Sequence, residues 1–486
     1  MKKVILFASL FSTVLLCAKV ELPSIFSKHA VLARHAKVPV WGKAAPGEKV
    51  TVSFNKQTVS TVAGKDGKWR VFLDLKDSPE GPFVLQVNDK KIDDVIVGEV
   101  WLCSGQSNMA MTLRSSTGFA EEIKTGLPNK KLRMFAVKME GKDTPQENCK
   151  GAWYIADSRM VGSFSAASYY FGKTLQKELN RPIGLIKSAQ GASYIESWMD
   201  KENFNKFPAA VARAARRAKN KKPAPWYRRP NTLFNATIHP LIPYRLNGII
   251  WYQGESNSKY PDDYADLFRG LIAQWRRDFN DPELAFYWCS LAAHHDKSAD
   301  AGEFTAWGMI RQKQTEVLNV PHTGQAILTD AGEAKDVHPR NKKVAGERLA
   351  ALALARSYGR NIPCTGPAAV KAEKEGSAVV ISFKDIYDGL EARPVPATQI
   401  IKSKENKTAP LVRNSPSALL EGFALCGKDN KWYWADKADI RGGQVVLSSQ
   451  NVKEPVKVRC STQDNPTCNL YNKAGFPVVP FELNVR

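Results

Sequence analysis

In this 486-residue chain, the segment Trp101-Leu-Cys-Ser-Gly-Gln-Ser-Asn-Met109 carries the clearest indication of the fold. Its first residues are apolar and predict a buried strand that ends at Gly105 and turns towards a helix, with Ser107 in the turn. Ligands bind at the carboxyl ends of parallel strands, and a serine hydroxyl at a helix start lies beside backbone N–H donors. Ser107 is therefore a candidate nucleophile, and the alternative is that it only caps the helix.

Around this stretch, apolar strands alternate with helical segments. The predicted strands cover residues 100–103, 183–186, 249–252 and 285–291. The predicted helices cover residues 168–179, 264–277 and 342–357. This alternation is typical of an α/β fold in which helices cover both faces of a parallel sheet.

Short alternating strands precede and follow this α/β segment. We therefore expect a signal peptide over residues 1–18, an N-terminal β domain over 19–98, a catalytic α/β domain over 99–365 and a C-terminal β domain over 366–486. Both β domains are expected to be of the β-sandwich type.

Two further segments place polar groups directly after predicted strands. Gly191, within residues 190–198, is placed to direct a backbone N–H at an oxyanion, although a glycine there also suits an ordinary turn. The second segment, residues 248–257, contributes three polar side chains: Gln253, Glu255 and Asn257. An uncharged amide such as that of Asn257 suits the stabilisation of negative charge on oxygen, and the alternative is a hydrogen-bonded loop.

His338 is the best candidate for a general base among the histidines. It lies in the segment Lys335-Asp-Val-His-Pro339, just before a predicted helix. A histidine that accepts a proton from serine needs a partner that fixes its tautomer, and a nearby carboxylate such as Asp336 is the usual choice. The rival segment is His294-His295-Asp296, which lacks a third well-spaced ligand for a metal site.

A nucleophile, two kinds of oxyanion donor and a base with an adjacent acid together make up an acyl-transfer site. Their chain order, serine, glycine, asparagine and histidine, resembles that of the SGNH hydrolases, which implies a flavodoxin-like catalytic domain. More closely, the motifs resemble the sialate O-acetylesterase family. The resemblance extends to Val38-Pro-Val-Trp-Gly42 near the amino terminus and to Asn469-Leu-Tyr-Asn472 near the carboxyl terminus.

The resemblance implies a role for each motif residue. Ser107 would be the nucleophile, and its backbone N–H would form the oxyanion hole with the Gly191 N–H and the Asn257 side chain. His338 would be the general base, oriented by Asp336, and attack on an acetyl ester would give an acetyl-serine intermediate. Three further residues are candidates for substrate binding: Gln106, Gln253 and Glu255. No metal or cofactor is implied.

Two positions depart from the family pattern. The family often has two glycines where this chain has Gly191-Ala192, and a backbone N–H survives that change. The acid commonly stands three residues before the histidine, at the position of Lys335 here. Glu255 or a backbone carbonyl therefore remain alternatives to Asp336 for orienting His338.

The amino-terminal end predicts export. Residues 4–18 are apolar, follow two lysines and are too short to span a bilayer, so we expect a periplasmic or secreted protein without stable membrane insertion. The net charge of +22 would attract acidic glycans, which an exported chain is expected to meet rather than nucleic acid. The densest basic run, from Arg213 to Arg229, predicts a solvated helix face and loop.

The expected function is the removal of O-acetyl groups from glycans, with O-acetylated sialic acids as the favoured substrates. Motifs that bind the acetyl group do not identify the sugar, so acetyl xylan or another acetylated polysaccharide is the alternative. A non-catalytic carbohydrate-binding protein is the alternative from another class. The presence of Ser107, Asn257 and His338 argues against it.

Overall fold

The computed structural model describes residues 19–220, 222–393, 401–402, 408–409, 420–467 and 469–486. The predicted signal peptide, residues 1–18, lies outside the described residues. Among the described helices, none is both long and apolar enough to cross a membrane.

The N-terminal part of the chain is built from short strands that lead into one long strand. These strands are β1 Val31–Ala33, β2 Val38–Lys43, β3 Lys49–Phe54, β4 Gln57–Val62, β5 Lys68–Leu73, β6 Phe83–Val87 and β7 Lys90–Gly105. The first half of β7 pairs with the antiparallel strand β6, and its second half pairs with parallel strands of the central sheet. The expected boundary between residues 98 and 99 falls within β7, and the division of the chain into domains stays a prediction.

The central part of the chain alternates strands and helices, as its sequence predicts. The further strands are β8 Asn129–Val137, β9 Gly151–Ala156, β10 Ile183–Ala189, β11 Gly248–Tyr252, β12 Ala285–Cys289 and β13 Thr323–Ala326. The helices are α1 Ser107–Ala110, α2 Phe119–Glu122, α3 Ala166–Leu179, α4 Lys201–Phe204, α5 Pro208–Ala218, α6 Tyr264–Asp278, α7 Ala306–Glu316 and α8 Lys342–Arg356.

The sheet that these strands form has the order β13-β12-β11-β7-β10-β8-β9. Its pairs are parallel apart from β8 with β9, which is antiparallel. The prediction of an α/β fold with a mostly parallel central sheet is therefore confirmed. The carboxyl ends of β7, β10 and β11 lie side by side at one edge, where the chain turns into the predicted site segments.

Successive side chains of a strand point to opposite sides of the sheet. The buried strands therefore present apolar side chains on both faces of the central sheet, and helices cover both faces. Leu102 and Ile249 join an apolar cluster with residues of α6 on one face. Cys103 and Ile250 join a separate cluster with residues of α3 and α8 on the other face. This packing fixes the strand ends that carry the site.

The C-terminal part of the chain is again built from strands. They are β14 Ala368–Glu375, β15 Ala378–Lys384, β16 Leu390–Ala392, β17 Ile401–Lys402, β18 Thr408–Ala409, β19 Phe423–Gly427, β20 Trp432–Trp434, β21 Lys437–Arg441, β22 Gln444–Ser448, β23 Pro455–Cys460, β24 Leu470–Asn472 and β25 Phe481–Asn484. Two four-stranded sheets, β14-β15-β22-β21 and β20-β19-β23-β25, share one apolar cluster that includes Ile381 and Leu425.

Candidate active site

Ser107 lies in a tight turn between β7 and α1. At Gly105 the backbone has a φ of 134°, and a Cβ atom there would lie 2.2 Å from the carbonyl oxygen of Tyr252 on the neighbouring strand. Only glycine fits this position, so the strand ends here and the chain turns away. Gln106 takes the N-cap position and Ser107 is the first residue of the helix. The alternative that Ser107 only caps the helix is therefore wrong.

The structure brings His338 against this serine. Its Nε2 atom lies 2.8 Å from Ser107 Oγ. Burial is the main cause that lowers the pKa of His338 below its ordinary value of 6.5; the charge of Lys342 acts in the same direction and Asp336 opposes it. The imidazole is thus neutral at neutral pH, which is the form that accepts a proton from the serine hydroxyl.

Asp336 is the carboxylate in contact with His338. Its Oδ1 atom lies 3.5 Å from His338 Nδ1 and also accepts a hydrogen bond of 2.8 Å from the His338 backbone N–H. The carboxylate of Glu255, the alternative partner, instead accepts a hydrogen bond from Asn108. Of the proposed orienting groups, the described contacts therefore favour Asp336.

The rival histidines make other contacts. His294 Nδ1 lies 3.2 Å from the carbonyl oxygen of Glu333, and His295 Nε2 lies 4.0 Å from an oxygen of Asp464. Neither imidazole contacts Ser107 within the described part of the chain. Among these three histidines, His338 is therefore the one whose imidazole contacts Ser107, and its role as the base stays a prediction.

Gly191 lies directly against the serine. A Cβ atom added at this glycine would be 3.5 Å from Ser107 Cβ, so the loop backbone runs alongside Ser107. The backbone N–H groups of Ser107 and Gly191 donate to no protein acceptor among the described residues. Two unoccupied donors next to the nucleophile are suited to bind an oxyanion.

Ala192 has a φ of 58°, in the left-handed region that favours glycine. This conformation gives a physical reason for the glycine that the family often has here. The loop therefore keeps its turn in this chain although the second glycine is absent.

Asn257 lies at the base of the site. It is fully buried, its Oδ1 atom accepts hydrogen bonds from the Ile195 N–H and from Gln253 Nε2, and its Nδ2 atom donates to Glu196 at 3.0 Å. No described contact joins its side chain to Ser107. The direct contact of Asn257 with an oxyanion therefore stays a prediction.

The three predicted substrate contacts differ in what they can reach. Gln253 is fully buried and its amide bonds to Asn257 and Tyr264, so it has no exposed surface for a substrate, contrary to the expectation from sequence. Glu255 is also buried and faces Asn108. Both therefore act inside the protein, because their polar groups point away from solvent.

Gln106 is buried like these two residues, but its amide keeps a donor without a partner among the described residues. Its Oε1 atom accepts a hydrogen bond of 3.2 Å from the Ser256 N–H, whereas its amide nitrogen bonds to none of the described residues. Gln106 therefore remains a candidate for substrate contact.

A family model described as carbohydrate esterase, sialic acid-specific acetylesterase, matches residues 97–354. The chain belongs to this family. The matched part contains Ser107, Gly191, Asn257 and His338, which are the residues that the sequence motifs single out. As a member of the sialic acid-specific acetylesterase family, the protein is a carboxylic ester hydrolase.

Comparisons with individual proteins agree with this family. The sialate O-acetylesterase of Mus musculus is 30% identical over 397 residues, covering 69% of this chain and 73% of the mouse protein. The human sialate O-acetylesterase is 30% identical over 376 residues, covering 69% of this chain and 70% of the human protein. A carbohydrate acetylesterase from Xanthomonas citri has a similar structure, with a TM-score of 0.82 and 32% identity over 96% of this chain and 99% of that chain.

Sequence reasoning missed a buried polar network behind the site of this acetylesterase family member. Lys342 is almost completely buried, and its Nζ atom donates hydrogen bonds of 2.6 Å to Asn108 Oδ1 and to the Pro339 carbonyl. Asn108 Nδ2 in turn donates to Glu255 and, at 3.0 Å, to the Val337 carbonyl. The network links the residue after Ser107 with the residues on both sides of His338.

The buried environment alters the charges in this network. Burial lowers the pKa of Lys342 to about 8, opposed chiefly by the charge of Glu255. Burial raises the pKa of Glu255, while Asn108 and Lys342 lower it. The charges of the lysine and the glutamate thus stabilise each other, and Asn108 forms a hydrogen bond with both.

The basic run also differs from its prediction. The sequence predicts a solvated helix face for Arg213, but only 8% of its surface is exposed and its guanidinium forms ion pairs with Glu196 and Asp263. The prediction is wrong for this residue because its acidic partners are distant in sequence. Glu196, which has no exposed surface, was not singled out from the sequence.

Proposed function

We propose that this protein removes O-acetyl groups from glycans through an acetyl-serine intermediate and that its substrates carry O-acetylated sialic acids. The observation that carries the esterase mechanism is the 2.8 Å contact between Ser107 Oγ and His338 Nε2. Family membership and the mouse and human sialate O-acetylesterases support the choice of substrate.

In the acylation step, Ser107 Oγ attacks the acetyl carbonyl carbon while His338 Nε2 takes the hydroxyl proton. The carbonyl oxygen becomes an oxyanion beside the backbone N–H groups of Ser107 and Gly191, which are available as donors. His338 then gives the proton to the sugar oxygen as the bond between this oxygen and the acetyl carbon breaks. Asp336 holds the imidazole and stabilises its positive charge.

In the deacylation step, a water molecule takes the place of the sugar. His338 removes a proton from this water, and the resulting hydroxide attacks the acetyl carbon of the acyl-enzyme. The bond to Ser107 Oγ breaks, the serine recovers its proton from His338, and acetate leaves. The same two donors bind the second oxyanion.

The proposal includes export across a membrane. It rests on the apolar residues 4–18 and the two lysines before them. Expression in a host with a secretory pathway is expected to yield a protein that begins at Lys19, as read by N-terminal sequencing. A protein that keeps residues 1–18 would contradict this part.

The experiment that tests the function is acetate release by the purified protein. O-acetylated sialoglycoprotein and acetylated xylan are compared side by side, with the Ser107→Ala variant as control. We expect release that depends on Ser107 and favours the sialoglycoprotein. Faster release from xylan would show that the proposed substrate is wrong and that an acetylated polysaccharide takes its place. Acetate release by Ser107→Ala at the wild-type rate would overturn the mechanism.

A further inference from the structure

A cluster of arginines and tyrosines lies beside the loop that carries Gly191. We call it the arginine cluster, and it consists of Arg213, Arg217, Arg228, Tyr194 and Tyr260. The Arg213 guanidinium lies 4.6 Å from the centre of the Tyr260 ring, and those of Arg217 and Arg228 lie 4.4 Å and 5.3 Å from the Tyr194 ring. The aromatic faces hold the cations in fixed positions.

The arginine cluster is joined to the candidate active site at two points. Glu196 binds Arg213 and Arg217 through Oε1 and accepts a hydrogen bond from Asn257 through Oε2. Arg228 donates a hydrogen bond of 3.0 Å from Nε to the carbonyl oxygen of Ala192. Ala192 directly follows Gly191, so Arg228 lies against the backbone of the loop that borders Ser107.

The cluster holds more positive than negative charge. Arg213 pairs with Glu196 and Asp263, and Arg217 pairs with Glu196, so two acids face three arginines. Arg228 makes no ion pair with a described residue, and Arg217 Nη1 is buried without a hydrogen-bond partner. One unit of positive charge beside the loop that carries Gly191 is therefore left without a counter-charge among the described residues.

We propose that Arg228, with Arg217 behind it, binds the carboxylate of an acidic acetylated sugar and makes the enzyme prefer anionic over neutral substrates. A guanidinium presents two parallel N–H donors that match the two oxygens of a carboxylate. Because Arg228 Nε is bound to Ala192, its terminal nitrogens are the donors left for the ligand. The inference deepens the proposed function and rests on it.

The test uses two substrates that differ in one charge. The first is an O-acetylated sialic acid, and the second is the same compound with its carboxylate converted to a carboxamide. Acetate release gives kcat and KM for each. We expect the wild-type protein to have a kcat/KM for the carboxylate about tenfold to a hundredfold higher, the range for a hydrogen bond to a charged group.

The decisive variant is Arg228→Gln, because glutamine keeps an N–H donor for the Ala192 carbonyl while removing the charge. We expect its preference for the carboxylate to fall to about one, mainly through a higher KM for that substrate. The matched control is Arg216→Gln, which removes one charge from an exposed position of the same basic run and is expected to keep the wild-type preference.

The outcomes separate the inference from the proposed function. An equal fall in kcat/KM for both substrates in Arg228→Gln would assign the arginine a purely structural role and overturn the inference. Equal kcat/KM values of the wild-type protein for the carboxylate and the carboxamide would overturn it as well. If the wild-type protein deacetylates neither compound, the proposed function fails.

A second measurement tests the carboxylate site without acetylated sugar. Hydrolysis of 4-nitrophenyl acetate is followed in the presence of unacetylated sialic acid or its carboxamide. We expect stronger inhibition by the acid, with the difference lost in Arg228→Gln. Equal inhibition by both compounds in the wild-type protein would overturn the inference.

Discussion

At the scale of single residues, the protonation state of His338 sets the pH dependence of the reaction. Its pKa is lowered below 6.5, chiefly by burial, and only the neutral imidazole accepts the Ser107 proton. As the pH falls, activity is therefore expected to persist below pH 6.5 before protonation removes it. A profile of kcat/KM against pH measures this directly, and an acid limb with its midpoint above pH 6.5 would contradict the assignment.

The Asn257 side chain can be tested at the same scale. If it donates a hydrogen bond to the oxyanion, Asn257→Ala lowers kcat by about 10²-fold or more with little change in KM. The variant also loses the contact with Glu196, so thermal unfolding must be measured to show that the fold survives. If a folded variant keeps a kcat within tenfold of the wild-type value, the oxyanion hole consists of backbone N–H groups without the Asn257 side chain.

At the scale of secondary-structure elements, the start of α8 depends on Lys342. Lys342→Met leaves the buried oxygens of Asn108 and Pro339 without their donor. We expect the free energy of unfolding to fall by about 1–3 kcal/mol, measured by urea denaturation. The control is Lys343→Met at the next, exposed position, and equal stability of the two variants would contradict a structural role for the network.

The same scale shows which parts of the site the sequence predicts. Ser107 and Asn257 follow apolar strands closely, so the alternation of strands and helices is enough to predict that both lie at one edge of the sheet. The contact of Asn108 with Lys342 is different, because these residues are far apart in the chain and meet only through the packing of α8. The pairing of Arg213 with Glu196 likewise depends on tertiary structure, which composition and charge runs do not encode.

At the scale of the whole molecule, β7 carries strand pairing from the N-terminal sheet into the centre of the α/β part. A Cβ atom at Gly98, in the middle of β7, would lie 2.2 Å from the carbonyl oxygen of Pro182. Gly98→Ala is therefore expected to destabilise the protein by about 1–3 kcal/mol through overpacking.

Because β7 belongs to both regions, far-ultraviolet circular dichroism and tryptophan fluorescence should report one shifted thermal transition in Gly98→Ala. The control is Gly302→Ala, where the added methyl group meets only the flexible Asp300 side chain. A variant in which the two signals separate would show that the N-terminal sheet unfolds independently.

The continuity of β7 also bears on how such a gene can be recombined. A chain that began at residue 99 would keep the half of the strand that leads to Ser107 but lose the half that pairs with β6. We therefore expect that exchange of the N-terminal sheet between genes would disrupt the strand that leads to Ser107. Homologous replacements that preserve function should carry residues 90–105 as one block.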